Sequence, residues 1–287
     1  MRRYALALAL ILPVMTLAHD HRHGGGTITI QGDRCTADNF FFDDEPAFVA
    51  KETIDAGAVR SLKAAVEHAP LTVTGDSRGG YSIEVCKAAR RAEDLAAIRV
   101  TFENGELKAS GPGHRRWQVL YHIHAPRGAD LDLEAENGPL AIRDVDGTLN
   151  VRTSNGPLSL DNVSGNVDAQ TTNGPISVSG GSGAMKVRAS NGPLSVHLEG
   201  GAWTGGVLDA ATKNGPLSLR IPRGYASGVT VESRGRGPVS CRAEGCERKT
   251  RSWADDEWDE PRVIQLGTGA EAVRLSTVNG PITIRDE

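Results

Sequence analysis

Four groups of residues in this 287-residue chain are of the types that do chemistry. Near the start stand His19-Asp20-His21-Arg22-His23. Were the chain cut after Ala18, the new amino group, two backbone amides and the imidazole of His21 would form a square-planar nitrogen site of the kind that suits Cu(II) or Ni(II). A solvated tail running into Gly24-Gly25-Gly26 is the plainer expectation, and no cofactor beyond such an adventitious ion is implied. His122 and His124 share one face of an alternating segment, because Tyr121 and Ile123 take the other. Two imidazoles begin a metal site, but no third ligand is identifiable, and an exposed polar pair is the simpler reading. Ser77, in Gly75-Asp76-Ser77-Arg78-Gly79, has the glycine flanks of a hydrolase nucleophile, yet no histidine and aspartate can be assigned to it, so a turn between strands is expected. Lastly, Cys35, Cys86, Cys241 and Cys246 are even in number. In an oxidising compartment they would pair, and of three connectivities Cys35–Cys86 and Cys241–Cys246 are favoured, the first tying the N-terminal segment to the repeats and the second closing a tight loop.

These side chains must be positioned by a scaffold whose pattern is unusually plain. The asparagines at 137, 155, 173 and 191 recur every 18 residues, each opening Asn-Gly-Pro-Leu or Asn-Gly-Pro-Ile, and Asn214 and Asn279 open two more copies. Around each asparagine, apolar and polar residues alternate: Leu149, Val151 and Thr153 precede Asn155, Leu158 and Leu160 follow it, and Arg152 and Ser159 fall between. Period-two alternation on both sides of a corner gives two half-buried strands per repeat and excludes a helix. Glycine turns the chain and proline opens the next strand. Copies stacked at about 4.8 Å would pair each strand with its equivalents above and below in parallel, and would bring the asparagines into a ladder of side-chain amides. The expected fold is therefore all-β, a single-stranded parallel β-solenoid of roughly nine coils standing about 40 Å tall. The alternative treats Asn-Gly as hairpin turns and gives an antiparallel sandwich or barrel. Proline after glycine would remove a ladder donor there, which favours the parallel stack.

The rest of the chain is read against this repeat. Residues 1–18 form a signal peptide, with Arg2 and Arg3, an apolar run from Tyr4 to Val14 and Thr16-Leu17-Ala18 at the cut; the run is too short to span a bilayer. Residues 19–60 are a His- and Gly-rich tail and an irregular lead-in, where Phe40, Phe41 and Phe42 are expected to cap the open end of the stack. The repeat domain runs over 61–287. Its worn copies include His68-Ala69-Pro70-Leu71 and a corner at Asn104-Gly105; a one-residue bulge is expected at Gly235, and the Asn279 copy is the closing coil. Ala125-Pro126-Arg127-Gly128 and Ile221-Pro222-Arg223-Gly224 form a second corner type.

Residues 243–262 break the period with Trp253, Trp258 and many charges. Such a loop on a rigid repeat is a candidate binding element, and a disordered or capping loop is the alternative. Trp203 is expected to cover a coil lengthened by five residues, 191 to 214 in place of 18.

The Asn-Gly-Pro-Leu/Ile corners, the Pro-Arg-Gly turns and the closing Val273-Arg274-Leu275-Ser276-Thr277-Val278-Asn279-Gly280-Pro281-Ile282 resemble bacterial β-strand-repeat proteins of a domain class without assigned function that carries an adhesin label. The resemblance covers residues 60 to 287 and implies a β-solenoid and an exported bacterial protein. It supplies no catalytic residues. With 32 basic and 36 acidic residues, net −4, there is no electrostatic case for nucleic acid, and 5% aromatic content leaves few stacking platforms for sugars. The expected function is a non-enzymatic surface or periplasmic interaction protein, its partner an unknown protein or glycan and its oligomeric state unspecified. The alternative is a polysaccharide-active β-helix enzyme, which needs carboxylates clustered on one face.

Overall fold

The computed structural model describes residues 15–17, 28–31, 34–67, 69–113, 116–235, 237–246 and 261–287. His19, His21, Trp253 and Trp258 lie outside the described residues, as does most of residues 1–18, the expected signal peptide. Among the described residues the chain is all-β, with one short α-helix, Ala92–Ala97, one 3-10 turn, Ala37–Asn39, and no closed barrel. No helix among the described residues is long and apolar enough to cross a membrane. The fold divides into two compact units, residues 1–52, 86–99 and 110–120 in the first and the remainder in the second.

In the first unit, four short strands pair antiparallel: Met15–Leu17, Ile28–Ile30, Phe40–Phe42 and Glu45–Pro46. Cleavage after Ala18 would remove the first of them and leave Ile28–Ile30 held by Phe40–Phe42. Phe40 and Phe42 are buried with Ala47, Cys86, Ala88 and Leu120 in a core of this unit. The Cys35–Cys86 disulfide joins the lead-in to the strand Tyr81–Ala89, which belongs to the second large sheet of the fold. It borders the same apolar cluster, and closing a span of 51 residues contributes about 4 kcal/mol on the chain-entropy account.

In the second unit each repeat supplies one strand to each of two large sheets. In the Asn155 repeat these are Asp146–Asn155 and Leu158–Asp161. Leu158 pairs in parallel with Leu140 and with Ile176, its equivalents one repeat away on either side. On the first sheet Leu149 pairs with Leu131 and Val167 in the same manner. Alternate residues along both strands (Leu149, Val151, Leu158, Leu160 in this repeat) are buried between the sheets, each such side chain contributing about 1.5–3 kcal/mol.

At the Asn-Gly-Pro corner the backbones of neighbouring repeats nearly touch. A Cβ on Gly156 would sit 2.2 Å from the Gly138 carbonyl oxygen, and Gly156 has φ 151°, so both space and backbone conformation call for glycine. The opposite corner needs a left-handed residue, supplied by Asp144, Asn162 and Gly180 in successive repeats at φ 56°, 52° and 62°.

Order in space departs from order in sequence at both ends of the stack. The closing repeat, Glu271–Asn279 with Ile282–Asp286, does not lie last. It inserts between the Asn214 repeat and the repeat formed by Gly228–Ser233 and Val239–Cys241. The Pro70 repeat (Ser61–Val66 and Leu71–Asp76) likewise pairs directly with the Asn137 repeat, and strands Glu106–Ser110 and Trp117–Pro126, later in the chain, pair on its far side.

Asn104-Gly105 is a further departure. It joins two neighbouring strands of one sheet, Arg99–Glu103 and Glu106–Ser110, with φ 53° and 81° at the two turn residues. That is a two-residue hairpin and not a worn corner: no proline follows this glycine, so the second strand keeps its first N–H for pairing. The extra residue expected near Gly235 is present, since the offset to the closing repeat falls from 44 residues at Val229–Val273 to 43 at Val239–Ile282. The last sheet neighbour, Arg262–Leu266, is antiparallel to Gly228–Ser233.

Candidate interaction face

The corner asparagines form one continuous ladder. Asn155 donates from Nδ2 to Asn137 Oδ1 at 3.0 Å, Asn173 to Asn155 at 3.0 Å, Asn191 to Asn173 at 3.0 Å, Asn214 to Asn191 at 2.9 Å and Asn279 to Asn214 at 2.9 Å. Each interior amide thus donates and accepts, which fixes the repeats in register. Just inside, the hydroxyls of Thr212 and Thr277 donate to the carbonyls of Gly192 and Gly215, tying strand to corner.

Register also aligns the outward side chains in columns. On the first sheet one column runs Asp132, Asn150, Asp168, Lys186, Asp209, Arg274. Asn150 donates to Asp132 at 2.9 Å and Gln170 to Asp168 at 2.8 Å, while Arg188 in the next column ion-pairs with Asp209. Among the described residues Lys186 makes no hydrogen bond or ion pair, although it is exposed beside this polar row. Beside the row lies an open, mostly apolar groove of about 440 Å³, lined by Leu149, Val167, Ala184, Met185 and Val207 and rimmed by Thr148, Asn150, Asn166, Asp168 and Lys186. Its size falls in the range of small-ligand sites. Beta-strand alternation predicts outward positions one by one; the groove needs three repeats in register, and no local pattern marks it.

The other sequence candidates are placed as follows. His122 and His124 stack with ring centroids 4.8 Å apart and planes 13° from parallel. Neighbouring strands bring Asp76 to 3.7 Å and Glu84 to 4.0 Å from His124, and Thr74 to 3.4 Å from His122. The carboxylates come from distant positions, which is why the sequence showed only the histidine pair. Among the described residues no three such groups are arranged to hold a metal ion.

Ser77 sits in a turn held by Asp76, whose Oδ1 accepts from the Arg78 N–H at 2.8 Å and whose Oδ2 pairs with the guanidinium at 2.6 Å. Trp203 is buried over the lengthened repeat, its indole N–H donating to Gly183 O at 2.9 Å. The second disulfide joins Cys241 to Cys246. The perturbed tyrosines are structural: burial pushes Tyr225 and Tyr81 up to about 12, the nearby Asp130 charge adding to the shift at Tyr81, whose hydroxyl donates to Asp130 O at 3.2 Å.

No family model and no curated protein matches the chain. Solved structures similar to it include a candidate cell-adhesion protein from Clostridium sporogenes, 12% identical with a TM-score of 0.33 over 84% of this chain and 100% of that one. A candidate adhesin from Bacteroides fragilis is 11% identical with a TM-score of 0.34 over 83% and 97% of the two chains, and one from Parabacteroides merdae is 11% identical with a TM-score of 0.30 over 83% and 96%.

Proposed function

We propose that the second unit is a β-solenoid and that the protein is an exported, non-enzymatic interaction protein of the adhesin kind, which takes a protein or glycan partner on the outward face of its first sheet. The observation that carries this reading is the groove at Thr148–Lys186, where an unpaired ammonium stands among amide and hydroxyl side chains held in register by the ladder. A rigid polar row carrying an ammonium that is unpaired among the described residues suits recognition of an extended partner that repeats acceptor groups along its length. Two disulfides support export. The groove's charged borders are one carboxylate, already accepting from Gln170, and one ammonium, which supports binding over acid–base hydrolysis.

The test is a glycan array and a partner-capture screen with the full chain, followed by Lys186→Ala and Asn166→Ala. Loss of the captured partner at least about tenfold in affinity with an unchanged melting temperature supports the assignment. Retained binding in both variants, with loss instead in Trp253→Ala or Trp258→Ala, moves the site to the 243–262 loop and sinks it.

A further inference from the structure

The chain holds seven Asn-Gly dipeptides, six followed by proline and one, Asn104-Gly105, by Glu106. Asn-Gly loses its side-chain amide spontaneously because glycine, lacking a Cβ, hinders least the attack of its own backbone nitrogen on the asparagine Cγ. In that step the Gly N–Cγ bond forms and the Cγ–Nδ2 bond breaks. Ammonia leaves carrying the glycine amide proton, and a succinimide ring closes. Water then adds at either ring carbonyl to give aspartate or isoaspartate. The sum is amide plus water to acid plus ammonia, with no oxidant or reductant.

Exposure does not separate the sites: Asn104 and the asparagines at 155, 173, 191, 214 and 279 are all exposed, and Asn137 is half-buried. Hydrogen bonding does. In the ladder from Asn137 to Asn214 the nucleophile is occupied, for the N–H groups of Gly138, Gly156, Gly174, Gly192 and Gly215 each donate to the corner carbonyl of the next repeat at 2.9–3.0 Å, while at the sixth corner the backbone is crowded, a Cβ on Gly280 lying 1.9 Å from the Gly215 carbonyl oxygen. The electrophile is held as well, because rotating Cγ towards that nitrogen breaks amide bonds on both sides of an interior rung. Space is also lacking, since even a Cβ at Gly174 or Gly192 would lie 2.1 or 2.0 Å from the neighbouring carbonyl oxygen. At the hairpin space is less tight, a Cβ at Gly105 lying 2.8 Å from the Ser61 carbonyl oxygen, and the hydrogen bonds are missing. Among the described residues neither the Asn104 side chain nor the Gly105 N–H has a hydrogen-bond partner; only the Gly105 carbonyl is engaged, by Lys63 N at 2.8 Å.

We propose that stacking suppresses deamidation along the ladder and leaves Asn104 as the site of this modification in the folded protein. The product places a new carboxylate between Glu103 and Glu106, and in the isoaspartate form a longer backbone, at a turn on the last two strands of the first sheet. The ladder repeats are untouched by it.

The experiment incubates the full chain in mildly alkaline buffer, folded and in urea, and maps each Asn-Gly peptide by mass. In the folded protein Asn104 should convert at least about tenfold faster than any ladder asparagine, the equivalent of breaking one or two hydrogen bonds before reaction. In urea the seven rates should converge. Equal conversion at all seven sites in the folded protein overturns the proposal. So does a difference that persists in urea, which would assign it to the residue after glycine and not to the fold.

Discussion

From Asn137 to Val196 each repeat stacks on its neighbour in the chain, whereas beyond Leu208 the closing repeat slips between two earlier ones. The two regions obey the same rule once likeness replaces chain order as the criterion. The Asn279 repeat reproduces the Asn-Gly-Pro corner and continues the amide ladder from Asn214, while the repeat before it in sequence has Arg236-Gly237-Pro238 and cannot. A faithful copy therefore takes the inner position and the degenerate copy is left outside. Matching side chains along a parallel ladder outweigh the longer connection, because loop-closure entropy grows only slowly with length.

The sharpest way to break this comparison is to place a charge inward in each region. Val167→Asp, between Leu149 and Met185, and Leu275→Asp, between Ala210 and Val231, should both abolish cooperative melting of the second unit, since an unpaired buried carboxylate costs several kcal/mol. Val239→Asp, on the half-buried outer strand, should fold with a lowered Tm, and the outward Asp168→Ala should barely move it. Stacking in chain order would invert the ranking of Leu275 and Val239 in thermal melts followed by circular dichroism.

A smaller effect should stay at the outer end. Replacing Cys241 and Cys246 by serine together removes about 2 kcal/mol on the chain-entropy account, and amide exchange should speed up within 228–246 and 261–266 while the central repeats hold their protection. Faster exchange reaching 137–196 would mean that the outer repeat supports the inner ones. Smallest is the ladder itself. Asn173→Ala loses bonds to both Asn155 and Asn191 and should cost about 1 kcal/mol; Asn279→Ala, which loses its bond to Asn214, should cost about half as much in denaturant melts.

Much of the second unit was legible because its side chains repeat with its backbone. Inward Leu149, Val151, Leu158 and Leu160 were marked by alternation alone, and the ladder by the identity of the corner residue. Two departures from the repeat carry a signal in the sequence. Glu106 in place of proline after Asn104-Gly105 is the mark of a hairpin, and Arg236 in place of asparagine is the mark of an end repeat. The first unit had no such signal. Phe40 and Phe42 meet Cys86, Ala88 and Leu120 from distant stretches that share no period, so three adjacent phenylalanines read equally as a cap or a core. The groove shares that difficulty, since Lys186 gains meaning only beside Asn166 and Thr148 one and two repeats away.

The inserted repeat also bears on how the chain reaches its fold. A polypeptide emerges from synthesis or export in one direction, so residues 228–241 become available before 271–286. The exposed edge of the Asn214 repeat then meets an inferior partner first and must either remain vacant or release that occupant when Leu208, Ala210 and Thr212 find Val273, Leu275 and Thr277. Final assembly of this end is an insertion beside the Asn214 repeat, out of chain order, and not a simple winding-on of the last turn.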